Sequence, residues 1–112
     1  MPIFEEFEDE TDLDDILERL KNDDAVVRKI AVLDLSEITN EISRDALINC
    51  LSDSSPQVRL EAARSLESFD VPIVAESLAG ALSDSDAETR EAAAYSLAEF
   101  KNSECAVPLI DY

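Results

Sequence analysis

Leu51 to Phe69 reads LSDSSPQVRLEAARSLESF, and the same pattern returns on both sides of it. Shifted 31 residues toward the C-terminus, Leu82 to Phe100 reads LSDSDAETREAAAYSLAEF; shifted 31 the other way, Leu20 to Ile38 reads LKNDDAVVRKIAVLDLSEI. The columns agree in detail: Leu20, Leu51, Leu82; Arg28, Arg59, Arg90; Ala31, Ala62, Ala93; Leu35, Leu66, Leu97; Ile38, Phe69, Phe100. A fixed period of this size marks a stack of like units, none of which can bury its apolar face alone. About three units is the smallest stable stack, and the chain sits near that limit.

Within each unit the apolar residues recur at helical spacing. Leu13, Ile16, Leu17 and Leu20 form such a stripe in Thr11 to Lys21, with Thr11 placed to cap it and Asp12, Asp14 and Asp15 in the favoured first turn. Asp24 is placed to cap a second helix through Ile38, with Val27, Ala31, Leu35 and Ile38 inward. Thr39 and Asn40 close it, Asn being a residue that tolerates a left-handed helix end. Glu41 to Leu51 predicts a shorter helix with Ile42, Ala46, Leu47 and Leu51 inward. Ser55-Pro56 starts the next, an N-cap Ser before a Pro at the first helical position, and it runs to Phe69. Pro72 opens the helix Ile73 to Leu82, which carries Gly80 in its interior with no evident reason. Asp86 caps the last long helix through Phe100, and Glu104 to Tyr112 starts another short one. The expectation is an all-α fold: a short right-handed α-solenoid of helical hairpins, each with a longer outer and a shorter inner helix.

The period divides the single domain 1–112 into a partial N-terminal repeat, 1–21, and repeats 22–51, 53–82 and 84–112, the last incomplete. Subtracting one period puts Phe4 in the column of Leu35 and Phe7 in that of Ile38, so the opening reads as the last turns of an earlier helix. Val26, Ile30 and Leu33 form an apolar stripe where later repeats hold Gln57, Glu61, Arg64 and Glu88, Ala92, Tyr95. That predicts Phe4 and Phe7 buried against the first helix and the edge of the second. At the other end, Phe100, Val107 and Ile110 form an apolar edge with no following turn, which predicts self-association there.

Charge narrows the function. The chain holds 27 Asp and Glu against 9 Lys and Arg, a net charge of −18. Phosphate backbones require a basic footprint, so nucleic acid is not the expected partner, and an anionic membrane surface is disfavoured for the same reason. No apolar window is long enough to span a bilayer and no signal peptide is visible, which makes a cytoplasmic location the expectation. With no His there is no ordinary Ser-His triad and no Cys/His metal site. No Gly-rich phosphate loop occurs. Cys50 and Cys105 stand apart and read as small buried thiols. No cofactor is expected and no enzyme activity.

The unit L-x-D-x-x-x-x-V-R-x-x-A-A-x-x-L resembles HEAT repeats, specifically the short HEAT-like repeats of the phycobilisome lyase type. Leu51, Asp53, Val58, Arg59, Ala62, Ala63 and Leu66 match it most fully; Thr89 replaces Val in the next unit, and Asn22 and Val32 replace Asp and the second Ala in the first. Ala106, Pro108, Leu109 and Ile110 resemble the second-helix pattern of that family. The resemblance implies a protein-interaction scaffold, with a bilin lyase-like or phycobiliprotein chaperone subunit as the alternative. Iron-holding hydroxylases of similar build use His-Glu motifs and DNA glycosylases of similar build use a basic groove, and the chain has neither.

Packing accounts for the motif without a function. The Ala residues let helices approach, and Asp53 and Asp84 precede helix N-termini, where negative charge is favoured. Arg28, Arg59 and Arg90 form a column able to bridge carboxylates or carbonyls of their own or a neighbouring loop, each with an acid nearby in sequence. By family analogy the second helices line the concave, binding face, exposing Asp14, Asp15, Glu18, Arg44, Asp45, Asn49, Glu76 and Ser77. That face is mostly acidic, so the expected partner is a protein with a basic patch. The rival explanation of the charge is adaptation to a salty cytoplasm, which only three Lys residues also suit.

Overall fold

The computed structural model describes residues 13–100, and all of their regular secondary structure is helical. Residues 13–19 form α1. There follow α2 (Ala25–Leu35), α3 (Glu41–Cys50), α4 (Pro56–Ser65), a 3-10 turn (Leu66–Ser68), α5 (Pro72–Ala81) and α6 (Ala87–Phe100). Among the described residues there is no strand.

The helices stack in two layers. In the first, α2 packs on α4 and α4 on α6; in the second, α3 packs on α5; α3 joins the layers through α4, and α5 through α6. The core lies between them. Leu35, Val58, Leu66 and Ala62 enter it from the first layer, Leu47, Val74 and Leu78 from the second, all fully buried. Ile16 of α1 joins the same cluster. Each fully buried Leu or Val is worth about 1.5–3 kcal/mol relative to exposure, so the repeated columns carry most of the stacking energy.

Local chemistry decides where the helices stop. Helix α2 ends at Leu35 rather than Ile38. The Ser36 hydroxyl donates to the Leu33 carbonyl at 2.6 Å. Glu37 N and Ile38 N then reach back only three residues, to Asp34 O and Leu35 O, which tightens the last turn in 3-10 fashion. Helix α4 likewise stops at Ser65, and the chain passes through the 3-10 turn to Phe69, which is extended at φ −107°, ψ 99°. The expected contrast of long first and short second helices therefore shrinks: α2 has 11 residues, and α3, α4 and α5 have 10 each. Helix α6 continues through Phe100, the last described residue.

Asn40 departs from expectation too. It is extended, at φ −133°, ψ 179°, and serves as N-cap of α3 rather than as a left-handed end of α2. Its Oδ1 accepts from Ser43 N, and Ser43 Oγ accepts from Asn40 N, a reciprocal capping box. The Ser43 hydroxyl also donates to Ile38 O. Ser43 is thereby drawn inside and fully buried, and Ile42 is turned out: it is 53% exposed, not inward as its apolar character suggested.

Other starts follow the chemistry read from the chain. Asp24 Oδ1 accepts from Val26 N, and Asp86 Oδ2 from Thr89 N. Pro56 and Pro72 open α4 and α5, although Ser55 makes no side-chain cap bond. In the Ala columns, Ala62, Ala63 and Ala93 are buried while Ala94 is exposed. At Gly80 an added Cβ would meet nothing within 4 Å, so no close approach demands glycine. Thr11, Phe4, Phe7, Cys105, Val107 and Ile110 lie outside the described residues, and so do the expectations built on them. Phe100 is buried, 3% exposed, like Phe69 of its column.

Candidate interaction face

Two sets of charged residues were singled out by the sequence, and they sit in different surroundings. The first lies along the loops that precede the first-layer helices. Asn22, Asp53 and Asp84 each turn a side-chain oxygen back onto the backbone N–H two residues on: Asp24, Ser55 and Asp86, at 2.8–2.9 Å. Small polar side chains form such local turns readily. Asn22 supplies the same oxygen as the aspartates, which explains why it can stand in that column.

The arginines tie these loops together. Arg28, Arg59 and Arg90 each donate Nη1 to the loop carbonyl six residues earlier, Asn22 O, Asp53 O and Asp84 O, at 2.7–2.8 Å. Arg28 then reaches forward to the next loop, with Nε and Nη2 on the two carboxylate oxygens of Asp53 at 2.9 and 3.0 Å. Arg59 does the same to Asp84 at 2.9 and 3.1 Å. The acid is thus 25 residues away in the following repeat, not the neighbour in sequence. Such paired, planar bonds are the strong form of charge-assisted hydrogen bond. They are also sheltered: the Arg59 and Asp84 side chains are 14% and 10% exposed.

The carboxylates respond to this. Burial by itself would raise Asp53, but the Arg28 guanidinium and the Ser55 N–H overcome it and hold the acid below its ordinary range. Asp84 is lowered in the same way against its burial, by Arg59 and the Asp86 N–H. Behind the first rung, Cys50 is buried; desolvation, reinforced by Asp53 and opposed by Arg28, pushes its thiol up to about 11. A thiol so disfavoured as thiolate is a poor nucleophile.

The second set lies on the outer side of the second layer. Ile42, Asp45 and Asn49 follow one another at i, i+3 and i+7 on α3 and are all exposed. Ile73, Glu76 and Gly80 hold the same three places on α5, 31 residues later, and are exposed as well. Helices α3 and α5 pack side by side, so an apolar pair, an acidic pair and an uncharged pair, Asn49 and Gly80, run across them. Asp14 and Glu18 occupy the second and third of these places on α1 and are exposed. Asp15 is turned toward Arg19, which also holds Asp34 of α2. Arg44 is spent on its neighbour Asp45, at 3.0 Å. Glu18 meets Lys21 at 3.6 Å with both side chains largely in water. The Ser77 hydroxyl folds back onto Ile73 O. Among the described residues, Asp14 and Glu76 have no ion-pair partner.

Ile42 and Ile73 were missed as surface residues. The signal was available: both stand one place before the buried column of Ser43 and Val74, and two residues one apart on a helix cannot face the same way. Three more apolar side chains, Val26, Ile30 and Leu33, are exposed on α2, where the stripe was read from the sequence. An open groove of about 460 Å³ lies on the first layer between α4 and α6, beside Arg64, Glu88 and Tyr95; it includes none of the residues singled out for partner binding.

The family model of HEAT repeats matches residues 13–98. No curated protein matches the chain. No helix among the described residues is long and apolar enough to cross a membrane.

Proposed function

Since the chain belongs to the HEAT repeat family, we propose that it is a non-catalytic protein-interaction scaffold whose working surface is the outer side of α1, α3 and α5. HEAT repeats commonly form such scaffolds, and the fold here is a short α-solenoid of that kind. One observation carries the choice of surface. The arginine and aspartate column is consumed by bonds within and between repeats, whereas Ile42, Ile73 and Glu76 stand exposed on the second-layer face and Asp14 at the equivalent place on α1. The partner is a protein bearing basic groups, because the face is acidic and the chain as a whole carries −18. Nucleic acid is a poor candidate for the same reason, and the location is cytoplasmic. The 31-residue spacing of equivalent positions makes the face periodic, so a partner can engage two or three steps of it.

A photo-crosslinking residue at Asn49, compared with one at Gln57 on the opposite layer, tests the assignment. Crosslinks to the partner form from position 49 and not from 57; the reverse pattern removes the second-layer face from the account. A bilin lyase-like role rests on the sequence resemblance alone, and absorption spectra after co-expression with a bilin and an apo-phycobiliprotein are its test.

A further inference from the structure

The apolar pair on the second-layer face has no structural employment. Ile42 and Ile73 are 53% and 49% exposed at equivalent positions on adjacent helices. The core is complete without them, since the next residue in each case, Ser43 or Val74, is the one fully buried. Ile is also an indifferent helix former, so local propensity does not call for it. Packed helices lie 8–10 Å apart, which sets the spacing of the two side chains at about one helix diameter. Beside them, three residues along each helix, stand Asp45 and Glu76, with Glu41 next to Ile42; all three are exposed.

Resting on the scaffold reading above, we infer that Ile42 and Ile73 are the apolar anchors of a docking face for a basic amphipathic segment of a partner protein. That segment presents two apolar side chains about 10 Å apart, the spacing of packed helices, flanked by Lys or Arg that meet Asp45 and Glu76. Charge complementarity selects this occupant. A second copy of the chain would set this acidic face against another surface of a molecule carrying −18, and like charges so juxtaposed oppose association. A purely apolar segment would bury the two Ile but desolvate Glu76 with no partner, which is costly, and leave Asp45 with Arg44 alone. A purely basic one would gain steering and no anchor, and apolar or aromatic anchors carry most of the affinity in such interfaces.

The test uses the full chain and three synthetic peptides of equal length: one of Lys with two Leu on a single face, one with the same residues scattered, and one of Lys alone. Binding is read by fluorescence anisotropy at low salt and at roughly 0.15 M ionic strength. The amphipathic peptide binds more tightly than the other two at the higher salt. Ile42→Ser with Ile73→Ser weakens it by about tenfold or more, equivalent to 1.4 kcal/mol. Asp45→Asn with Glu76→Gln weakens it at low salt and flattens its salt dependence. Thermal melts confirm that all variants are folded. Equal binding of the three peptides, unchanged binding by the Ile variant, or no binding at all overturns the inference. In those cases a crosslink from Asn49 to a protein partner would leave the scaffold reading standing with a different partner chemistry; its absence as well would remove both.

Discussion

The loop edge and the second-layer face hold charges of the same kind and use them oppositely. At the loop edge Arg59 and Asp84 meet in a paired geometry at 2.9 and 3.1 Å, with both side chains about nine-tenths sheltered. On the face, Arg44 and Asp45 are sequence neighbours, and the carboxylate is 61% exposed. Water screens the second arrangement and hardly reaches the first, so exposed pairs contribute little and sheltered, geometrically matched ones contribute more. The difference teaches where this small solenoid keeps its register and where it is free to vary. Removing a charge from the edge disturbs the stack; removing one from the face alters only what the surface can meet.

The largest expected break falls on Arg59. Arg59→Ala lowers unfolding free energy by about 1–3 kcal/mol, the range for hydrogen bonds to charged groups, because it frees both Asp84 and the Asp53 carbonyl. Arg59→Lys recovers little, since an ammonium cannot span both carboxylate oxygens and the carbonyl. Urea titration at neutral pH measures both.

Acid sharpens the same contrast. Asp53 and Asp84 are held below the ordinary aspartate range in the folded state. Their contribution is therefore fully present above the unfolded value of about 3.9 and is lost as pH falls through the lower folded values. Protonation of the many other carboxylates relieves repulsion over the same interval, so the quantity to follow is a difference. The stability gap between the natural chain and Asp84→Asn is constant near neutrality and closes below about pH 4. A gap unchanged down to pH 2 would show that the carboxylate charge at Asp84 is not what stabilises the edge.

The columns that build the core were legible because they are periodic and chemically uniform: Leu35 and Leu66, Ala31 and Ala62, Leu47 and Leu78 all lie where the pattern put them. The partners of the arginines were legible by kind but not by residue. The column pattern allowed carboxylates or carbonyls of the same or a neighbouring loop without choosing between them; the fold uses both, the own-loop carbonyl and, for Arg28 and Arg59, the acid of the following repeat, 25 residues away. Ile42 was misplaced because hydrophobicity was weighed without the capping box, which requires Ser43 inside. Helix ends slipped for a similar reason: Ser36 competes for the Leu33 carbonyl, a local bond that no apolar period reports.

Smaller effects follow on α5 and at Cys50. Gly80→Ala raises stability by up to about 1 kcal/mol, the helix propensity difference, because the new Cβ meets nothing within 4 Å; a lowered melting temperature would reveal a role that packing does not show. Cys50, with its thiol pushed up to about 11, reacts with a thiol reagent at pH 8 only as fast as the chain opens. Above about pH 8.5, where an unfolded thiol ionises, the folded state loses stability because it keeps its proton longer than the unfolded chain does.

The division between edge and face is tested most directly by one comparison of urea midpoints, Arg59→Ala against the double variant Ile42→Ser, Ile73→Ser. The single change at the edge shifts the midpoint down by the equivalent of about 1–3 kcal/mol. The double change on the face stays within about 0.5 kcal/mol of the natural chain for each site, as exposed substitutions do. A face variant that unfolds earlier than Arg59→Ala would contradict the account, for it would make Ile42 and Ile73 part of what holds the solenoid together.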